Sequence, residues 1–166
     1  MTDKTLNDLF YDTLRDIYYA EKKILKGLTK MSKAAELPEL KAAFDKHYDE
    51  TEGQIDRLER VFDLIGKAAR GKKCDAIEGI LEEGDEIASD YKGTAALDAG
   101  LVAAAQAVEH YEIARYGTLK RWATMLGLDD AATLLDQTLT EESNTDESLT
   151  ALAEQLANDK ALEPAE

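Results

Sequence analysis

The sequence predicts an all-α fold: apolar residues recur every three and four positions along almost the whole chain, strand-type alternation is absent, and only two prolines and ten glycines interrupt 166 residues. Long periodic runs with few breaks make the predicted architecture a bundle of four long helices, built as two antiparallel hairpins with a short extra helix between them.

The first helix is expected from about Thr5 to about Ala35, its buried stripe marked by Leu6, Leu9, Phe10, Ile17, Ile24, Leu28 and Met31. It stops at Leu37-Pro38, because the residue before a proline disfavours helical backbone, and Pro38 is suited to open the second helix. That helix runs through Leu40, Phe44, Ile55, Leu58, Val61, Phe62 and Ile65 to a glycine cap at Gly66. A basic connector, Lys67 to Lys73, leads to a shorter amphipathic helix carrying Ile77, Ile80, Leu81, Ile87 and Ala88. The third long helix spans about Thr94 to Leu126, with Leu97, Leu101, Ala105, Val108, Leu119 and Trp122, and Gly127 stops it. The fourth starts near an Asp129 cap and runs through Leu135, Leu139, Leu149, Leu152 and Leu156 into an acidic tail containing Pro164. Residues 1–160 are thus expected to form one domain and residues 161–166 a tail. The stretch from Gly66 to Gly93 is long enough to carry the chain back along the bundle, and one such crossover between two hairpins is the ferritin-like connectivity.

Composition narrows the class of function. The formal net charge of −15 repels phosphate backbones and anionic lipid and draws cations, so neither nucleic acid nor membrane is expected as a partner. The apolar run near residues 99–108 is too short and too Ala-rich to span a bilayer, and the Met-Thr-Asp-Lys start lacks the basic and apolar regions of an export signal. Cys74 is the only cysteine, which excludes an internal disulfide and fits a cytoplasmic location; it reads as a small packed side chain rather than a reactive thiol.

Carboxylates on the buried stripes carry the functional argument. Glu21 falls four residues after Ile17 and three before Ile24; Glu112 falls four after Val108, with Glu109 one turn earlier; Glu142 falls three after Leu139, and Asp146 follows it by four. In the second helix His47, Glu50, Thr51 and Gln54 fill the apolar gap between Phe44 and Ile55. Glu21 and Glu112 each lie 16 residues before their hairpin turns at Leu37 and Leu128, while Glu50 and Glu142 lie 13 and 14 beyond them. At 1.5 Å per residue all four sit roughly 20 Å from a turn, at one level. Glu50-Thr-Glu-Gly-Gln54 and Glu142-Ser-Asn-Thr-Asp146 then look like two halves of a quasi-two-fold site. Converging carboxylates cost several kcal/mol unless protons, bases or cations neutralise them. Arg115 is the main inward base on offer, and one arginine does not balance five acids. Oxygen-rich ligands suit Fe, Mn, Mg or Ca, and bridging glutamates suit a pair of ions; zinc is disfavoured with so little His and Cys. His47 is either a ligand, a partner of one, or a hydrogen-bonded core histidine; His110 reads as structural or surface, Tyr48, Tyr111 and Tyr116 as packing, and Glu82 and Glu83 as solvated.

The segments YAEKKI, HYDETEGQIDRLE, KCDAIEGILEEGDEI, AAAQAVEHYEIARYGTL and TLTEESNTDESLTALA, in this order, make residues 5 to 157 resemble the YciE/YciF-like family of bacterial ferritin-like, stress-associated proteins. The resemblance implies a ferritin-like fold, a dinuclear metal centre in the bundle, a stress-linked role and self-association as a homodimer. Its implied ligands are Glu21, Glu50, Gln54, Glu109, Glu112, Glu142 and Asp146, holding two divalent ions, iron first and manganese second. The broader diiron class places Glu-x-x-His on two helices, whereas Gly53 and Thr145 occupy the histidine positions here. The expected function is that of a metal-binding stress-response protein with a carboxylate-rich dinuclear iron or manganese site, for which Fe(II) oxidation and peroxide detoxification are the candidate reactions. The alternative, favoured by the missing histidines, is a non-enzymatic helical self-association protein that has lost such catalysis, so the sequence leaves open whether the chain is an enzyme.

Overall fold

The computed structural model describes residues 3–163, and every regular element among them is helical. α1 (Leu6–Ala34) opens with a capping box, in which Thr5 Oγ1 accepts the Asp8 N–H and the Asp8 carboxylate accepts the Thr5 N–H at 2.8 Å. Pro38 begins α2 (Pro38–Leu64), where its missing N–H costs nothing because the first turn has no acceptor for one. α2 closes on Gly66, whose φ of +66° lets the Lys67 N–H reach back to the Phe62 carbonyl at 3.0 Å. α3 (Asp75–Asp90) lies within the crossover, followed by α4 (Leu97–Met125) and α5 (Asp129–Leu152).

Three boundaries differ from expectation. α4 begins at Leu97 rather than near Thr94, because Gly93 at φ +73° and the Thr94 hydroxyl bonded to the Tyr91 carbonyl hold a turn there. Asp129 is the first residue of α5 and not its cap; Leu128 precedes it without a side-chain hydrogen bond, and Asp129 and Asp130 instead place negative charge on the helix N-terminus. Beyond Leu152 the chain makes a π-helical turn, Ala153–Ala157, and then a short α6 (Asn158–Ala161) whose Lys160 pairs with Glu36 at 2.9 Å. The part of the expected tail from Pro164 onward lies outside the described residues.

Side-chain pairs fix the helix directions. Tyr18 with Glu59 and Ser32 with Asp45 run α1 and α2 antiparallel, and Lys120 with Asp136 and Gln106 with Thr150 do the same for α4 and α5. α2 and α5 also oppose each other, through Glu50 with Thr145 and Arg57 with Thr138. At the end of α1 the Glu36 and Leu37 N–H groups donate to the buried Asp98 carboxylate, at the start of α4, at 2.8 and 2.9 Å. The long helices therefore close a ring, α1 to α2 to α5 to α4 and back to α1.

α3 returns beside α1, pairing Glu78 with Lys23 and Asp85 with Lys30, and covers the seam between α1 and α4. It sits close because the long helices offer glycines there. A Cβ at Gly27 would meet Leu81 Cδ2 at 2.8 Å, and one at Gly100 would meet Ile87 Cγ2 at 2.6 Å.

The ring's interior is apolar at both ends. Phe10, Leu14, Ile17, Leu58, Phe62, Leu119 and Leu135 fill one end, with Tyr18 edge-on to Phe62 at 5.4 Å between centroids, and Leu28, Leu40, Phe44, Leu97 and Leu101 fill the other. Each large side chain contributes roughly 1.5–3 kcal/mol by leaving water. Between these two layers lies a buried polar level: Glu21, His47, Thr51, Gln54, Glu109, Glu112, Thr138 and Glu142.

Candidate metal centre

Each polar side chain reaches this level because its helix turns the same stripe inward that carries the apolar core. On α4, Glu109 and Glu112 share a stripe with Val108, Tyr116 and Leu119; on α5, Glu142 continues that of Leu135 and Thr138. On α2, His47, Thr51, Gln54 and Leu58 form one buried line. His47, Glu109, Glu112 and Glu142 each bring one ligand atom to a point where all four lie within 4.8 Å of one another, on three helices. His47 Nδ1 is 3.0 Å from Glu109 Oε1, and Nε2 is 3.5 Å from Glu142 Oε2.

Glu21, on α1, is wholly buried and accepts the Tyr116 hydroxyl. Gln54 Nε2 donates to Glu142 and, at 3.1 Å, to Glu141, which is itself clamped by Arg57.

Of the seven expected ligands, Glu21, Gln54, Glu109, Glu112 and Glu142 thus meet in the interior. Glu50 and Asp146 stand on the rim: Glu50 pairs with Lys46 at 3.3 Å and Asp146 with the exposed His110 at 3.2 Å. The helical screw explains this. Glu50 is rotated about 60° from His47 around α2, and Asp146 about 40° from Glu142 around α5. Gly53, one of the two positions where the broader diiron class carries histidine, is turned further away still, and a Cβ there would meet nothing within 4 Å. Imidazole is nevertheless present, supplied by His47.

Arg115, expected as the inward base, is exposed and lies over the Tyr111 ring at 5.3 Å; the inward base is His47. Tyr116, expected to be packing, also bonds a site carboxylate. Its spacing, four after Glu112 and seven after Glu109, was the signal in the sequence. Glu82 and Glu83 are exposed, as anticipated. Cys74 is buried, accepts the Ile77 N–H at the start of α3, and contacts the Tyr111 hydroxyl at 2.9 Å; burial pushes its thiol up, away from the reactive thiolate.

The level is electrostatically unfinished. Among the described residues, the buried side-chain oxygen and nitrogen atoms without a hydrogen-bond partner belong to Glu21, His47, Gln54, Glu109, Glu112 and Glu142. The close His47–Glu109 approach is included, because its atoms are near but poorly aligned for hydrogen bonding. Burial, helped by the charge of Glu142, pushes Glu21 up to about 8 and raises Glu112 well above the ordinary range; burial and Glu142 do the same to Glu109. Burial opposes the charged form of Glu142 too, but the close approach of Glu109 and the positive charge of His47 outweigh it and hold Glu142 at about 2. His47 loses by burial and gains more from Glu109 and Glu142, so it stays protonated well above 6.5. Without a cation the site is therefore an ionised Glu142 beside an imidazolium, surrounded by carboxylic acids. Such a donor set fits divalent cations: hard oxygens, one imidazole, and unpartnered polar atoms converging from four helices.

Comparison with known proteins agrees with this architecture. The model of a family described as Domain of unknown function (DUF892) matches residues 5–162. Protein YciF of Escherichia coli is 44% identical over 162 residues, covering 97% of this chain and 98% of that protein. The crystal structure of the E. coli stress protein YciF superposes with a TM-score of 0.90 at 43% identity, over 94% of this chain and 99% of that one. YcfI of Rhodopseudomonas palustris, described as a candidate structural protein, gives a TM-score of 0.86 at 46% identity, over 89% and 94%. A Xanthomonas campestris protein at 24% identity shares the fold, with a TM-score of 0.74 over 93% of this chain and 94% of that one.

Proposed function

The chain belongs to the DUF892 family, and from that membership and the buried polar level we propose that it is a ferritin-like four-helix bundle holding a dinuclear divalent-metal centre. The carrying observation is the convergence of Glu21, Glu109, Glu112, Glu142 and His47, each with at least one polar atom left without a hydrogen-bond partner, in a buried layer. Left without cations these groups cost several kcal/mol; two divalent ions would neutralise four carboxylates. His47, Glu109, Glu112 and Glu142 would hold the ions, with Glu21 from α1 beside them in the same buried layer. Gln54 holds Glu142 in place while its own carbonyl oxygen faces inward, and Arg57 fixes Glu141 behind it. Tyr116 sets the Glu21 carboxylate in the same way.

Iron or manganese in such a donor set would supply one-electron chemistry toward dioxygen or peroxide. The stress designation of the E. coli relative supports a protective role of that kind. Glu50 and Asp146, with His110, form the polar rim through which ions approach. Anaerobic loading of metal-free protein with Fe(II) or Mn(II) is expected to give about two ions per chain, and the double variant Glu112→Gln/Glu142→Gln to give none. Elemental analysis that finds equal metal in both proteins would remove the assignment. The candidate structural role of the Rhodopseudomonas relative supports a second reading, self-association without metal chemistry. Under it, neither protein would take up metal.

A further inference from the structure

The polar level is not sealed alike on all sides. Where α3 covers the seam of α1 and α4 there is a small void walled by Met31, Leu81, Ala105 and Val108, with His47 and Glu109 on its inner side. Its volume, about 10 Å³ for the centre of a water-sized molecule, is room for one small molecule. Apart from His47 and Glu109 on the inner side, the walls are carbon, a lining that a neutral diatomic enters with no hydration shell to lose.

We propose that this void is a binding pocket for dioxygen, reached past Leu81 and opening on the His47–Glu109 side of the buried carboxylate layer. Leu81 is half-buried on α3, with solvent on its far side, and its end methyl rests over Gly27, where no side chain pins it. Rotation of this one side chain would open the seam without moving a helix. Ions and dioxygen then use different faces of the bundle. Ions come by the charged rim of Glu50 and Asp146 between α2, α4 and α5, and the neutral molecule comes by the apolar seam. A charged species crossing the apolar wall would lose its hydration without replacement, so the two routes do not interchange.

The choice of dioxygen rests on the proposed metal centre, but occupancy of the pocket is testable without metal. Methyl relaxation in metal-free protein, measured by NMR under dioxygen pressure, is expected to rise severalfold more at Met31 and Val108 than at Leu134, which is as deeply buried at the far end, and than at Leu14 and Leu119. Ala105→Leu fills the void and is expected to abolish the excess while Mn(II) uptake stays as in the wild type. Equal enhancement at pocket and control methyls in the wild type overturns the proposal, even if the variant proves too unstable to study. So does an excess that survives in a folded Ala105→Leu. A wild type that binds dioxygen at these methyls but takes up no Mn(II) upholds the pocket and counts against the metal centre alone.

Discussion

His47 lies four residues before Thr51 and seven before Gln54, on the line of α2 that points to the middle of the bundle. There it faces Glu109 and Glu142 and carries a proton that ions would have to displace. The same holds for Glu21, Glu109 and Glu112, all raised by burial. Metal binding is therefore expected to release protons, and Mn(II) affinity to rise steadily between about pH 5 and about pH 8, as a competition titration with a chelator would show; affinity independent of pH would contradict this protonation pattern. The metal-free protein should respond in the opposite sense. Glu21 keeps its proton to about 8 when folded but loses it near 4.5 when unfolded, so its contribution is full below the lower value and is lost as pH rises through the upper one. Glu142, held at about 2, loses its contribution only as pH falls through that value. Metal-free protein should thus melt higher at about pH 5 than at about pH 8. Glu112→Gln, which removes a buried acid with no partner, should raise its stability at the upper pH by roughly 1–3 kcal/mol and much less at the lower. Denaturant titration at both values distinguishes these outcomes.

Among the elements, α3 is the one whose place depends on single atoms. Ile87 is stiff at its β-branch, so a Cβ at Gly100 cannot be accommodated by turning a side-chain end, as Leu81 can over Gly27. Gly100→Ala gains up to about 1 kcal/mol of helix propensity but should lose about 1–3 kcal/mol to overpacking, a net destabilisation. Gly53→Ala, in α2 with open space around it, should show the propensity gain alone and stabilise by about 0.5–1 kcal/mol. Chemical denaturation of the two variants checks the pair, and similar signs for both would mean that α3 does not rest on α4 as described.

For the whole molecule, the closed ring of antiparallel neighbours is what makes the polar level tolerable, since apolar layers above and below it supply the folding free energy that the unpaired acids take away. Ions that bind only the folded chain should restore this loss. Mn(II) at a hundred times its Kd should stabilise by about 2.7 kcal/mol per site, visible as a rise in melting temperature. The net charge of −15 also attracts cations at long range. Mn(II) association should slow as ionic strength rises past about 0.1 M, where charges more than about 10 Å apart are screened. A melting temperature indifferent to Mn(II) would argue that no resident ion completes this level.

The helices, their turns and the crossover could be read along the chain, because period, proline and glycine act locally. Pro38, Gly66 and Gly127 mark helix ends in the structure as they do in the sequence. Acids such as Glu21, Glu112 and Glu142 could be read as buried for the same reason, since each shares a stripe with its apolar neighbours. Which groups meet was another matter. A turn of about 40–60° about a helix axis separates Glu142 from Asp146 and His47 from Glu50, and sequence spacing alone does not say which side of that margin faces a neighbour. Only the packing of α2 against α5, and of α4 against both α1 and α5, sent Glu50 and Asp146 to the rim, drew His47 inside, and turned Arg115 out to Tyr111. Periodicity identifies the buried stripe of each helix, whereas the relative rotation of the helices is fixed by contacts between residues far apart in the chain.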